Sequence, residues 1–215
     1  MCVNYIPVTR QGLDFFNTVA PADAEWPAET WQDYPAPIIR RHADGGRETL
    51  VGTYGMVPQK DIPAHIKKYS TMNARSEDIG SKRSYSKAWR EGQLCLVPMV
   101  RFFEPNWETG VHVRWAIGMR DQAPFAVAGL WRAKEDKNSG TLTHSFTQLT
   151  INADGHPVMD HFHRPNQEKR SLVIVPEADY DDWLDCRDPE LARAYLNLYP
   201  AKLMVAEPAP KLMKA

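Results

Sequence analysis

The strongest constraint on this chain is a block of four extended runs in its middle, which commits it to building a sheet. Leu94 to Phe103, Val113 to Met119 and Phe125 to Arg132 are short apolar runs, and Thr143 to Asn152 alternates well enough for a further strand. Runs of this length, rich in branched and aromatic side chains and bounded by turn residues, read as strands. Between the second and third, Arg120-Asp121-Gln122-Ala123-Pro124 has the chemistry of a connection, so those two are expected to pair as a hairpin. Upstream, Ala36 to His42 and Glu48 to Tyr54 flank the turn residues Ala43-Asp44-Gly45-Gly46 and give another hairpin.

Helical signals lie outside that block. Val8 to Asn17 suits a short helix with Leu13, Phe15 and Phe16 packed inward, followed by a loop from Pro21 through Pro37. Ser84 to Glu91 suits a helix closed by Gly92 at its C-terminal cap. Ser171 to Val175 reads as a short buried strand and Glu177 to Leu184 as helical. Asp188-Pro189 supplies an N-cap and first-turn proline for a helix running to about Tyr199, and the one biased segment is the Pro-rich tail after Glu207. These elements imply an α+β protein: a single domain over residues 1–215, with a mixed, largely antiparallel sheet or partly closed barrel flanked by helices.

Composition narrows the functional classes. No run of about 18 apolar residues exists to span a membrane, and the first thirty residues lack the basic and apolar pattern of a secretory signal, so a cytoplasmic protein is expected. Cys2, Cys95 and Cys186 are far apart, without a CxxC pair, which suggests free thiols in a reducing compartment. With 26 Lys plus Arg against 27 Asp plus Glu, the net charge of -1 gives little overall attraction to polyanions, so any such contact must be a local patch.

Cys2 carries the most distinctive chemistry. Methionine is readily removed before a small side chain, and an N-terminal cysteine then holds an amine and a thiol on adjacent carbons. An α-amine has a pKa of about 7.7–8.0 against about 10.4 for lysine, so roughly a third is unprotonated at cytosolic pH against about a thousandth. Such an amine attacks an aldehyde to give an imine, and the neighbouring thiol closes a five-membered thiazolidine by intramolecular addition.

Three further segments concentrate reactive groups. Met72-Asn73-Ala74-Arg75-Ser76-Glu77 reads as a loop before a helix, with Arg75 suited to clamp a phosphate and Asn73 to hold an amine or hydroxyl. Phe102-Phe103-Glu104-Pro105 places a lone carboxylate at the end of an apolar strand, a setting suited to proton transfer. His156 to Pro165 concentrates three histidines and Asp160; the spacing matches no standard zinc pattern, so a general acid or base is favoured over a metal ligand. No metal or cofactor is expected.

Taken in order, Cys2, Met72-Asn73-Ala74-Arg75-Ser76-Glu77, Cys95-Leu96-Val97-Pro98, Phe102-Phe103-Glu104-Pro105, Ala128-Gly129-Leu130-Trp131 and Phe162-His163-Arg164-Pro165 resemble the SOS response-associated peptidase family over nearly the whole chain. The resemblance implies a protein that binds single-stranded DNA and joins its N-terminal cysteine to the ring-opened sugar aldehyde of an abasic site, shielding it from strand cleavage. It makes Cys2 the nucleophile, Asn73 and Glu104 the groups that orient and protonate the amine and sugar, and His163 the acid or base that opens the sugar and reverses the crosslink. Arg75 resembles the family's phosphate contact, and Arg75, Ser76, Lys82 and Arg83 are the expected DNA-binding residues. Lys67, Lys68, Lys87 and Arg90 extend the basic stretch around Lys82 and Arg83. Tyr54-Gly55-Met56-Val57-Pro58-Gln59 departs from the family by lacking both tryptophans of its Trp-Gly-Leu-Ile/Val-Pro-x-Trp stretch. The histidine segment is longer than the family's compact form and matches better at His163 than at His161. The expected state is a monomer in the bacterial cytosol, on the nucleoid when bound to DNA, with no membrane partner.

Two other readings use the same residues. A cysteine peptidase, in its simplest form one that removes its own Met1, would pair Cys2 with His163 and Asn73, although no papain-like or caspase-like signature surrounds the cysteine. A non-covalent binder of single-stranded DNA would not need Cys2 at all.

Overall fold

A computed structural model describes residues 3–135 and 140–210, so Cys2, the expected nucleophile, lies outside the described residues. In chain order the strands are β1 (Tyr5–Pro7), β2 (Pro35–Arg41), β3 (Arg47–Tyr54), β4 (Asn73–Arg75), β5 (Leu94–Asn106), β6 (Val113–Met119), β7 (Phe125–Glu135), β8 (Leu142–Asn152), β9 (Arg170–Leu172), β10 (Ile174–Val175) and β11 (Met204–Pro208). Short α-helices α1 (Ser86–Arg90), α2 (Tyr180–Asp185) and α3 (Pro189–Ala192) flank them.

Five of these strands close on one another. β5 pairs with β7, β7 with β8, β8 with β3, β3 with β2, and β2 returns to β5 through the single pair Ile39↔Leu96. The sheet is mixed, with β3 and β4 parallel to β8 and the other pairings antiparallel. This is the α+β, largely antiparallel, barrel-like architecture that the strand-rich middle implied.

The pairing of β6 differs from expectation. β6 and β7 do not form a hairpin; both use β5 as template, β7 along Leu94–Met99 and β6 along Phe102–Asn106. At 13 residues β5 is long enough for both, and Gln122 at φ 62° helps the connection turn a corner rather than fold back. Other corrections are local. Asn73–Arg75 is a strand and not a loop, because β8 offers it a parallel edge. The expected strand 171–175 is two, β9 on β8 and β10 on β7. The helix begun at Asp188, whose side chain accepts from the Glu190 and Leu191 N–H groups, tightens to a 3-10 turn over Arg193–Tyr195 and ends where Leu196 takes ψ 73°. Gln11–Phe16 is also 3-10, so its period of three buries Leu13 and Phe16 and leaves Phe15 exposed. Part of the Pro-rich tail is the edge strand β11, where Pro208 lies opposite Trp115.

Apolar residues form two clusters on opposite faces of the sheet. Leu94, Leu96, Leu130 and Leu149 pack with the helices and Trp89, Tyr180 and Trp183. Cys95, Val97 and Met99 pack on the other face with Tyr5, Tyr54, Phe102 and Phe146. That alternation changes phase within β5. Ile6 pairs with Arg101 but Pro7 with Met99, so Val100 is the extra residue of a β-bulge. Odd-numbered residues face Tyr54 before the bulge and even-numbered Phe102 faces it after, which turns Glu104 toward the same side. Gly129 allows β5, β7 and β8 to approach closely there: a Cβ would stand 2.8 Å from the Thr147 carbonyl oxygen and 2.9 Å from Cys95 Sγ.

Candidate functional site

Glu104 and His163 meet on the Tyr54 face, although distant in sequence. Their Oε2 and Nε2 atoms lie 3.2 Å apart, and the residues are only 3% and 8% exposed. The separation suits an ion pair, while the ring lies off the line of a hydrogen bond. His163 Nδ1 is also buried, with no hydrogen-bond partner among the described residues. The histidine is held on a backbone that its side chain disfavours, at φ 64°. His163 N–H donates to the Pro105 carbonyl at 2.9 Å, Asn106 Nδ2 donates to the His161 carbonyl at 3.2 Å, and Lys169 Nζ donates to the Phe162 carbonyl at 2.7 Å. The end of β5 and Lys169 thus lock the turn that aims the imidazole at the carboxylate.

The other two histidines of the segment do different work. His156 Nδ1 accepts from the Val158 and Met159 N–H groups at 3.2 and 3.0 Å, so the neutral ring carries its proton on Nε2 and donates to the Tyr199 carbonyl at 2.9 Å. It is a structural pin. His161 is exposed and lies 2.5 Å from the Glu108 carboxylate, whose pKa it holds below the usual range by hydrogen bonding. Among the described residues no group of three or more His, Cys, Asp and Glu is arranged to hold a metal ion.

Strand β1 brings the first described residues to this place. Tyr5 is bonded on one side to Thr30 and registered on the other against Phe102, and the Phe103 N–H donates to the Asn4 carbonyl at 3.2 Å. Asn4 Nδ2 donates to Glu29, which Arg114 grips at 2.8 Å while its guanidinium lies 3.3 Å from the centre of the Phe103 ring. The first described residues therefore run beside Phe103 and Glu104.

Asn73 lies on the same face, farther along the sheet. The parallel register Asn73↔Gln148 puts the two side chains side by side, and the Tyr85 hydroxyl anchors the strand by donating to the Asn73 carbonyl at 3.2 Å. Tyr54 connects the two ends: its hydroxyl donates to Gln148 Oε1 at 2.9 Å, and its ring meets Tyr5 edge-on at 5.3 Å. Neither Gln148 nor Tyr54 stood out as a site residue in the sequence. The available signal was the spacing from Phe146, two residues before Gln148 and so on the same face of β8.

The expected DNA contacts lie at different distances from solvent. Arg75 is half exposed and bonded to Glu168 at 2.6 Å, within a network in which buried Arg170 binds Glu77 through both terminal nitrogens. Ser76 is 7% exposed, its N–H bonded to the Thr150 carbonyl and its own carbonyl accepting from Arg193. Lys82 pairs loosely with Asp78 at 3.5 Å, and Arg83 lines a cleft with Lys87, Arg132 and Lys134 in which Glu91 is the acidic member. No helix among the described residues is long and apolar enough to cross a membrane.

A family profile described as SOS response associated peptidase (SRAP) matches residues 14–214. Among solved structures, an X-ray structure of a Bordetella bronchiseptica protein is 34% identical, covers 98% of this chain and 100% of its own, and superposes with a TM-score of 0.87. A Bacteroides thetaiotaomicron protein is 18% identical over 96% of this chain and 91% of its own, with a TM-score of 0.76. A phage-related protein of B. bronchiseptica is 18% identical over 98% and 94%, with a TM-score of 0.66. The last two share the fold alone. No curated protein matches the chain.

Proposed function

Because the chain belongs to the SOS response associated peptidase (SRAP) family, whose description ties it to the SOS response to DNA damage, we propose that it caps abasic sites in single-stranded DNA through Cys2. With Met1 removed, the Cys2 α-amine attacks the aldehyde carbon of the ring-opened sugar, and the carbinolamine loses water to an imine. The thiol then adds to the imine carbon, its proton passes to nitrogen, and the thiazolidine joins protein to DNA with one water released.

The observation that carries this reading is the buried Glu104–His163 pair, with Glu104 on the strand beside which the first described residues run. Amine attack needs a group that takes a proton from nitrogen, and water loss needs one that gives a proton to oxygen; a carboxylate excluded from water and next to an imidazole serves both. His163 Nδ1 protonates the sugar ring oxygen for opening and reverses that transfer when the crosslink is released. Asn73 orients the amine. Arg75, Lys82 and Arg83 hold phosphates, with Arg75 exchanging Glu168 for the strand.

A cysteine peptidase reading is favoured by the family's description and by the same pair, since His163 would activate the Cys2 thiol toward a peptide carbonyl. The product separates the two. A denaturing gel on which abasic-site DNA, but not intact DNA, is retarded by wild-type protein and not by Cys2→Ala supports capping; cleavage of Met1 or of a peptide without such a band supports the peptidase.

A further inference from the structure

Gln148 is fully buried, yet its Nε2 has no hydrogen-bond partner among the described residues. Native proteins hold few such groups, because a buried donor that has given up water without a replacement is destabilising. Its other end is satisfied: Oε1 accepts from the Tyr54 hydroxyl at 2.9 Å, which fixes the amide so that its two N–H donors point elsewhere. The Tyr54 ring that carries this hydroxyl is itself held, stacked on Phe146 and edge-on to Tyr5, each at 5.3 Å. The register Asn73↔Gln148 sets the amide beside Asn73 on the face that also carries Glu104.

We infer that Gln148 is a substrate-contacting residue that donates its free amide N–H to a hydroxyl oxygen of the ring-opened sugar. The inference rests on the capping reading and adds to it the group that tells a sugar aldehyde from a plain one. A ring-opened deoxyribose carries the hydroxyl released by ring opening, whereas an alkyl aldehyde has none. A site built around a buried donor rejects a ligand that leaves that donor unpaired. Tyr54 acts here as a positioning residue, through Gln148.

The test compares crosslinking rates of wild type, Gln148→Leu, Gln148→Met and Tyr54→Phe on two single-stranded oligonucleotides, one with an abasic deoxyribose and one with an alkyl aldehyde lacking hydroxyls. Two apolar replacements of different shape guard against one that packs poorly. The expected result is a loss of about tenfold or more on the deoxyribose for either Gln148 variant, with no loss on the alkyl aldehyde. Tyr54→Phe should weaken the deoxyribose reaction alone. Unchanged rates on both substrates would overturn the inference, as would equal losses on both, which are the mark of a structural amide. Wild-type protein that crosslinks neither substrate overturns the capping reading itself, an outcome distinct from the other two.

Discussion

Glu104 and His163 face each other across 3.2 Å because a single bulged residue, Val100, changes the phase of β5 and because His163 is held at φ 64° against Pro105. Both devices aim a side chain at a cost in backbone regularity, a combination that recurs where geometry serves chemistry.

If this pair moves protons, Glu104→Gln keeps the shape and removes the base. Crosslinking to an abasic oligonucleotide should slow by about 100-fold or more, within the range of general acid–base catalysis, while the circular dichroism spectrum is unchanged. A Gln variant that reacts at the wild-type rate across neutral pH would remove Glu104 from the mechanism. His163→Ala should mainly impair sugar opening and reversal, and full activity would shift attention to His161.

The strain at His163 has its own test. Glycine occupies positive φ freely, so His163→Gly should be more stable than His163→Ala by about 1 kcal/mol in urea unfolding, although both lose the imidazole. Equal midpoints would mean that the turn relaxes once the histidine is gone.

Gly129→Ala should destabilise the fold by about 2–3 kcal/mol, since its methyl group meets strand backbone at 2.8 Å and buried Cys95 at 2.9 Å. Wild-type stability in chemical denaturation would show that β7 and β8 can move apart.

The extended runs were legible because strand periodicity is local, and so were the Asp188 cap and Gly92, which indeed takes φ 61° just past α1. Pairing was not legible. That β6 and β7 share β5 depends on the length and bend of a third strand, and the bulge at Val100 is visible only against Ile6 and Pro7. Motif order singled out Asn73, Glu104 and His163, but the contact between the last two is tertiary. Gln148 escaped notice because an amide in an alternating strand reads as its solvent face, whereas here it is fully buried.

Acid should loosen the network around Arg170. Burial opposes ionisation of Glu77, but hydrogen bonds from the Arg170 guanidinium outweigh it and bring its pKa from 4.5 down to about 2. A carboxylate depressed on folding contributes stability that is fully present above its unfolded pKa and is lost as pH falls through the folded value. Tm should therefore fall between pH 4.5 and about 2, and Glu77→Gln should flatten that part of the curve. Parallel curves for the two proteins would contradict the assignment.

Arg83 lies in the basic cleft with Lys87, Arg132 and Lys134. Arg83→Ala should weaken non-covalent binding to single-stranded DNA and reduce the slope of log K against log salt by about 0.7, the share of one phosphate contact. An unchanged slope would place the strand elsewhere.

Covalent capping through Cys2 stands or falls on the intact mass of the reaction product. Protein freed of Met1 is mixed with a single-stranded oligonucleotide carrying one abasic site, denatured and weighed. The expected product is a conjugate of protein plus DNA minus one water, absent with undamaged DNA and with Cys2→Ala. Only free protein and free DNA, despite verified loss of Met1, would contradict it.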